Sequence, residues 1–378
     1  MKIGFDAKRA ALNATGLGNY SRMVIEALAC QYESMPMVLY TPQVRGTMLD
    51  ALKAHSNVTV ALPQRARLGQ AWWRSVAGMT RQAVDDGCDL LHGLAGELPL
   101  DVSRHHIASV VTIHDLIFDV FPQLYSPIDR RIYRYKALKA CQHASRIIAV
   151  SECTRRDIIL RLHIDPGLVD VVYQGCNPIY SQPVSPEQCQ QLRDQLQLPE
   201  RYLINVGTIE PRKNILLAVK ALEHIDDHDL ALVIIGRRTK YADEVENYAA
   251  THGLSSRVRI LSDVPTASLP ALYHGAVGMV YPSRYEGFGI PIIEAQSCGI
   301  PVIAATGSCL EEAAGRDGAI MVNPDNDDQM VDAINQLTGN SDLVAGLVAA
   351  GHNNIKRFTP AIVAQSTMAV YKAALEDA

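Results

Sequence analysis

The chain has 378 residues, 48% of them hydrophobic and 20% charged, and a formal net charge of −5. That length is more than one hydrophobic core organises and fits two domains, with the composition of an ordinary globular protein. No run of about 18 uncharged apolar residues occurs and the opening MKIGFDAKRA reads as a strand, so a membrane span is excluded and a cytoplasmic protein is expected.

The charge is unevenly divided. Residues 1–180 carry 20 Lys and Arg against 16 Asp and Glu, whereas residues 181–378 carry 15 against 24, so the first half is the better partner for an anion. Nucleic acid is not expected, because no aromatic stacking pattern interleaves the basic residues. The eight cysteines form no CxxC pair and no metal-ligand spacing, and they read as buried small apolar residues in a reducing compartment.

In chain order, short apolar runs alternate with amphipathic helical stretches, the pattern of a parallel sheet covered on both faces. The first half offers strands near KIGFDA, MVLYTP, VTVAL, DLLHG, SVVTIHD, RIIAVS and VDVVYQG. GLGNYS, Gly16 to Ser21, opens a helix after the first strand; it suits either a phosphate-holding loop or a loop needing glycine geometry with Asn19 or Ser21 as cap. It does not fit a dinucleotide fingerprint, since Ser21 replaces the third glycine and no acid follows the second strand. SVVTIHD leaves His114 and Asp115 at a strand end, placed to touch a substrate or to be satisfied by backbone groups. In RRIYRYKALK, residues 130–139, five cations occur without an acid, and Ile128, Ile132 and Tyr135 share a helix face.

Prolines and a polar helix around 177–200 mark the boundary, giving domains 1–180 and 181–359, with the amphipathic helix 360–378 joining the first. The second half restarts with YLINVG, helix NILLAVKALEHI and strand LALVIIG. It continues through VRILSD, helix ASLPALYHGA, GMVYPS, helix IPIIEAQSCG, PVIAA and AIMVNP. Ligands of open parallel sheets bind beyond the carboxyl ends of the strands, so the residues just after each strand carry the chemistry. Arg212 and Lys213 precede a helix start near Asn214, where two cations disfavour the helix and a bound anion would relieve the conflict.

After GMVYPS comes EGFGIPIIE, with Glu286 and Glu294 separated by seven residues. Gly287 and Gly289 let the backbone approach a ligand, and Pro291 suits the first turn of a helix that carries Glu294. Two carboxylates so placed resemble a hydrolytic acid and base, two ligand grips, or a solvated turn and a dipole-complementing helix residue.

EGFGIPIIE resembles the E-x7-E motif of retaining glycosyltransferases with the two-Rossmann GT-B fold, and GTIEPRKN resembles the donor-phosphate loop of their family four. GLGNYS, VVTIHD, RIIAVSECTRRDI and VVYQGCNP stand in family order, so the resemblance spans nearly the whole chain. It implies two doubly wound α/β domains facing across a cleft, the first binding acceptor and the second a nucleotide-sugar donor. Glu286 and the amides of Gly287, Phe288, Gly289 and Ile290 would hold the donor sugar, and Glu294 the ribose. Arg212 and Lys213 would neutralise the diphosphate, Gly16 and Gly18 would close on it, and His114 would lie beside the reacting sugar.

The activity so implied is retaining hexosyl transfer, mannosyl favoured, without metal or resident cofactor. GDP-mannose or a UDP-hexose is the co-substrate, and a saccharide or lipid-diphosphate-linked saccharide of a cell-surface polysaccharide is the acceptor. The Asp-x-Asp pairs Asp227/Asp229 and Asp325/Asp327 are read as a turn before a strand and a helix start. The basic face of 130–139 would meet an anionic membrane peripherally, at the inner face of the cell membrane. The same architecture also serves nucleotide-sugar 2-epimerases and catalytically silent binding homologues.

Overall fold

The structure is a computed structural model describing residues 1–64 and 69–377. The chain divides into two compact units, Met1–Gly175 with Thr359–Ala378, and Cys176–Phe358.

In the first unit seven parallel strands form one sheet. They are β1 (Ile3–Asp6), β2 (Met37–Tyr40), β3 (Val58–Ala61), β4 (Leu90–Gly93), β5 (Ala108–Ile113), β6 (Arg146–Ala149) and β7 (Val169–Val171), in the order β3-β2-β1-β4-β5-β6-β7. The residues of β1, β2, β4 and β5 are all buried, which is why these strands read as largely apolar runs, whereas the edge strands β3 and β7 bury only Val58 and Val169. The order reverses between β1 and β4, where Asp6 lies opposite Gly93 at the carboxyl edge. That reversal is the crevice where open α/β sheets bind ligands. The helix Pro360–Glu376 returns to this unit and buries Val363, Ala364, Met368, Val370, Tyr371 and Ala374.

The second unit has six parallel strands, β8 (Tyr202–Val206), β9 (Ala231–Ile235), β10 (Val258–Leu261), β11 (Gly278–Tyr281), β12 (Val302–Ala305) and β13 (Ile320–Val322). Their order is β10-β9-β8-β11-β12-β13, so the reversal falls between β8 and β11. The loops after these two strands are GTIEPRKN and PSRYEGFG. Residues 186–196 are a helix of this unit, closed at its start by a Ser185–Gln188 capping box.

Three local expectations are corrected. Neither Asn19 nor Ser21 caps a helix: both lie inside Gly16–Gln31, whose N-cap is Thr15. Ser21 donates back to Leu17 O, and Asn19 accepts from Arg22. The cysteines are not all buried, since Cys30 is exposed and Cys189 half-buried. The basic face of 130–139 is not free of acids either: Asp119, 8% exposed, takes Arg134 at 2.8 Å and Arg130 at 3.6 Å, and Lys136 reaches Glu97 at 3.1 Å.

Candidate active site

In the second unit the turn Pro211–Lys213 follows β8 and ends at Asn214, whose φ of 56° starts the helix Ile215–Ala221. The Arg284 amide donates to Arg212 O at 2.9 Å, tying this loop to the one after β11. Asn214 reaches Pro324 O at 2.8 Å and so anchors a third loop, the one after β13.

On this frame Arg212, Lys213 and Glu286 meet. Glu286 takes Lys213 Nζ at 2.6 Å on Oε1 and an Arg212 nitrogen at 2.8 Å on Oε2. Ser283 Oγ donates to Oε1 at 2.6 Å and Tyr281 OH at 3.2 Å, while Lys213 also donates to Tyr281 OH at 2.5 Å. Arg212 is held further by Glu210 at 2.6 Å and by Tyr285 O. Burial works against the Glu286 charge, but Lys213 and then Arg212 overcome it and hold the carboxyl at about 2. Two cations therefore face two carboxylates, Glu286 and Glu210, and the cluster is neutral before any ligand arrives.

The motif turn is rigid for two separate reasons. Gly289 sits at φ 113°, and a Cβ there would lie 3.0 Å from Leu310 Cδ2, so only glycine fits. The buried Cys309 thiol spans the turn, 3.0 Å from both Glu286 O and Phe288 O. The Phe288 ring is buried against Phe358, which leaves its backbone alone as a contact for a ligand. Ile290 then begins the helix Ile290–Ser297.

Glu294 lies apart from that cluster. It is half-buried and accepts from Tyr273 OH at 3.1 Å. Burial pushes its carboxyl up to about 7, against the opposing hydrogen bonds of Tyr180 and Tyr273. The Asp-x-Asp pairs are placed as the sequence suggests. Asp227 and Asp229 precede β9, and Asp325 and Asp327 flank a helix start at Asn326, with Asp325 paired to Arg284 at 2.5 Å.

In the first unit His114 follows β5. Its Nε2 lies 2.9 Å from Leu94 O, a contact only an N–H can make, so Nδ1 carries the lone pair. Burial lowers the ring to about 4 and keeps it neutral. The Tyr20 ring meets it edge-on with centroids 4.5 Å apart, linking His114 to the GLGNYS helix. A buried chain continues from Tyr20 OH through Thr112 at 3.2 Å to His92 at 2.9 Å and Tyr371 OH at 2.7 Å. Gly16 is open to space, but a Cβ on Gly18 would fall 1.8 Å from Asn13 O, so Gly18 serves loop packing.

Sequence reasoning picked out Arg212, Lys213 and Glu286 but missed Glu210, Tyr281, Ser283 and Cys309 around them, and Tyr180 and Tyr273 around Glu294. Tyr281 and Ser283 both stand in GMVYPS, where their period-two spacing at a strand end was the available signal.

The family model for Glycosyltransferase Family 4 matches residues 15–179, and that for Glycosyl transferases group 1 matches residues 190–353. The O-antigen chain mannosyltransferase B of Escherichia coli is 31% identical over 348 residues, 88% of either chain. The chain belongs to the group 1 glycosyltransferases. The O-antigen chain mannosyltransferase RfbU of Salmonella typhimurium is 28% identical to this glycosyltransferase over 252 residues, 64% of this chain and 65% of that one.

Two crystal structures share the GT-B fold of this glycosyltransferase. Anabaena HepE in complex with UDP and glucose aligns with a TM-score of 0.74 at 21% identity, covering 98% and 99% of the two chains. WaaG, a glycosyltransferase involved in lipopolysaccharide biosynthesis, aligns with a TM-score of 0.69 at 16% identity over 98% of each.

Proposed function

We propose that this glycosyltransferase is a retaining hexosyltransferase moving a mannosyl group from a nucleotide sugar, GDP-mannose first among candidates, to a saccharide or lipid-linked saccharide of a cell-surface polysaccharide. The observation that carries this reading is the Arg212–Lys213–Glu286 cluster at the switch point beyond β8 and β11. The mannosyl assignment is supported by the two mannosyltransferase relatives.

The chemistry follows from charge. Cleavage of the anomeric bond leaves negative charge on the diphosphate, and fixed cations in a dry site stabilise that charge as it develops. The incoming diphosphate competes with Glu286 for Lys213 and Arg212. It draws the cations to itself and leaves the Glu286 carboxylate to the sugar hydroxyls. With both cations engaged, transfer proceeds without a metal ion. Retention follows if the acceptor hydroxyl attacks from the face the phosphate leaves. Its oxygen bonds to the anomeric carbon, that carbon's bond to phosphate breaks, and the hydroxyl proton passes to the departing phosphate oxygen. Glu294 accepts hydrogen bonds from the ribose diol, and the lone pair on His114 Nδ1 accepts one from a sugar hydroxyl.

The acceptor side of the reading is a peripheral contact with an anionic bilayer through the helix Pro127–His143. Ile128 is 72% exposed, Leu124, Ile132 and Tyr135 are exposed as well, and Arg131 is exposed beside them. Apolar side chains flanked by a cation suit the boundary between headgroups and acyl chains. No helix of the described residues is long and apolar enough to cross a membrane. Ile128→Ser/Ile132→Ser is expected to abolish co-sedimentation with anionic vesicles, and unchanged sedimentation contradicts the contact.

A thermal-shift panel of nucleotide sugars tests the donor. A ligand at 100 times its dissociation constant adds about 2.7 kcal/mol of stability. GDP-mannose is expected to give the largest shift, and silence across the panel contradicts the reading. Conversion of a nucleotide sugar to its epimer without acceptor would identify an epimerase instead.

A further inference from the structure

The switch point of the first unit holds more cations than it neutralises. Beyond β1 and β4, Arg74 from the helix Gln70–Ser75 donates to Asp6 at 2.6 Å and to Glu97, and Lys136 takes the other Glu97 oxygen at 3.1 Å. Arg74 and Lys136 thus occupy both carboxylates. The short helix Lys8–Leu12 adds Lys8 and Arg9 to the same edge, both half-buried. Among the described residues neither has a carboxylate partner. The Lys8 amide is fixed by Asp6 Oδ1 at 3.2 Å, so its side chain starts next to the Arg74 hub.

The cost shows on the Lys8 ammonium. It is lowered by burial first, then by Arg74 and Arg9, more than Glu97 and Asp6 raise it. Four cations against two carboxylates repel one another at the edge where open sheets take their ligands, and a bound anion would relieve that repulsion. The donor diphosphate already has its partners in the second unit, Arg212 and Lys213.

We propose that Lys8 and Arg9, beside Arg74, form an anion site that takes the phosphate of the acceptor, so that the acceptor is a saccharide joined through phosphate or diphosphate to its carrier. This rests on the transferase reading and narrows its acceptor class from any saccharide to phosphate-linked ones. Phosphate suits the site because two adjacent cations match a dianion better than a single carboxylate.

Calorimetric titration of the full chain with pyrophosphate at 0.15 M NaCl tests it. Wild type is expected to bind two equivalents, Lys213→Ala to keep the first-unit site, and Lys8→Gln/Arg9→Gln to keep only the second-unit one, with GDP affinity unchanged. Farnesyl diphosphate is expected to displace the pyrophosphate retained by Lys213→Ala at least tenfold more effectively than GDP does. Arg9→Gln alone, which leaves Lys8 in place, is expected to weaken that pyrophosphate severalfold and guards against misfolding of the double variant. A single equivalent in wild type, two unaltered equivalents in the double variant, or full displacement by GDP overturns the site. If no nucleotide or nucleotide sugar binds wild type while the first-unit equivalent persists, the transferase reading fails separately.

Discussion

Glu286 and Glu294, eight positions apart, titrate in opposite directions because their neighbours differ. Glu286 sits between Lys213 and Arg212 and is held at about 2, whereas burial raises Glu294 to about 7 against the hydrogen bonds of two tyrosine hydroxyls. A carboxyl depressed in the folded state stabilises the fold above its unfolded value and loses that contribution as pH falls. The Glu286 contribution is therefore lost as pH falls from about 4.5 towards 2. Urea midpoints measured across that range should fall less steeply for Glu286→Gln, although that variant is less stable at pH 7 by about 3–5 kcal/mol, the cost of leaving buried cations unpaired. Glu294 runs the other way: its stabilising contribution is present below its unfolded value and is lost as pH rises through about 7. Ribose hydroxyls favour its ionised form, so donor affinity should rise between pH 6 and 8, with a flat profile in Glu294→Gln. Calorimetric titration with GDP-mannose, whose diphosphate diester does not itself titrate in that window, reads this at each pH. The sequence named both carboxylates, but not their opposite environments, because Tyr180 and Tyr273 reach Glu294 only through packing.

At the level of elements, all thirteen strands lie in the apolar runs that the sequence marks, since both faces of each sheet are covered and burial leaves Val and Ile few alternatives. Helix starts were less legible. GLGNYS offers two caps, yet the N-cap is Thr15 and the helix begins at Gly16, with Gly18 packed against Asn13 O inside the first turn. The cations of 130–139 pair with Asp119, outside that window, so a charge run read along the chain overstated what stays free. The EGFG turn is the most constrained element of the site. Gly289→Ala must place a Cβ at φ 113° against Leu310, and should cost about 1–3 kcal/mol and weaken donor binding together. Retained melting temperature and donor affinity in that variant would contradict the role given to the turn.

Across the whole molecule, the sequence showed two α/β halves of unlike charge, and the structure gives two units each with its own switch point. It could not show that residues 207–214 and 282–289 meet in one ion cluster, because that depends on β8 and β11 being neighbours in the sheet. The last helix is integral to the first unit, where Tyr371 hydrogen-bonds His92 at 2.7 Å. Its buried side chains are worth roughly 1.5–3 kcal/mol each, a sum comparable with the stability of a domain. Removal of 359–378 should therefore abolish the melting transition of the first unit while that of 176–358 survives in a calorimetric scan. The central claim, that Lys213 with Arg212 carries the leaving diphosphate, is tested most directly by the transfer rate from GDP-mannose in Lys213→Ala. The cluster predicts a fall in kcat of roughly 100- to 1000-fold, and a rate equal to wild type would contradict it.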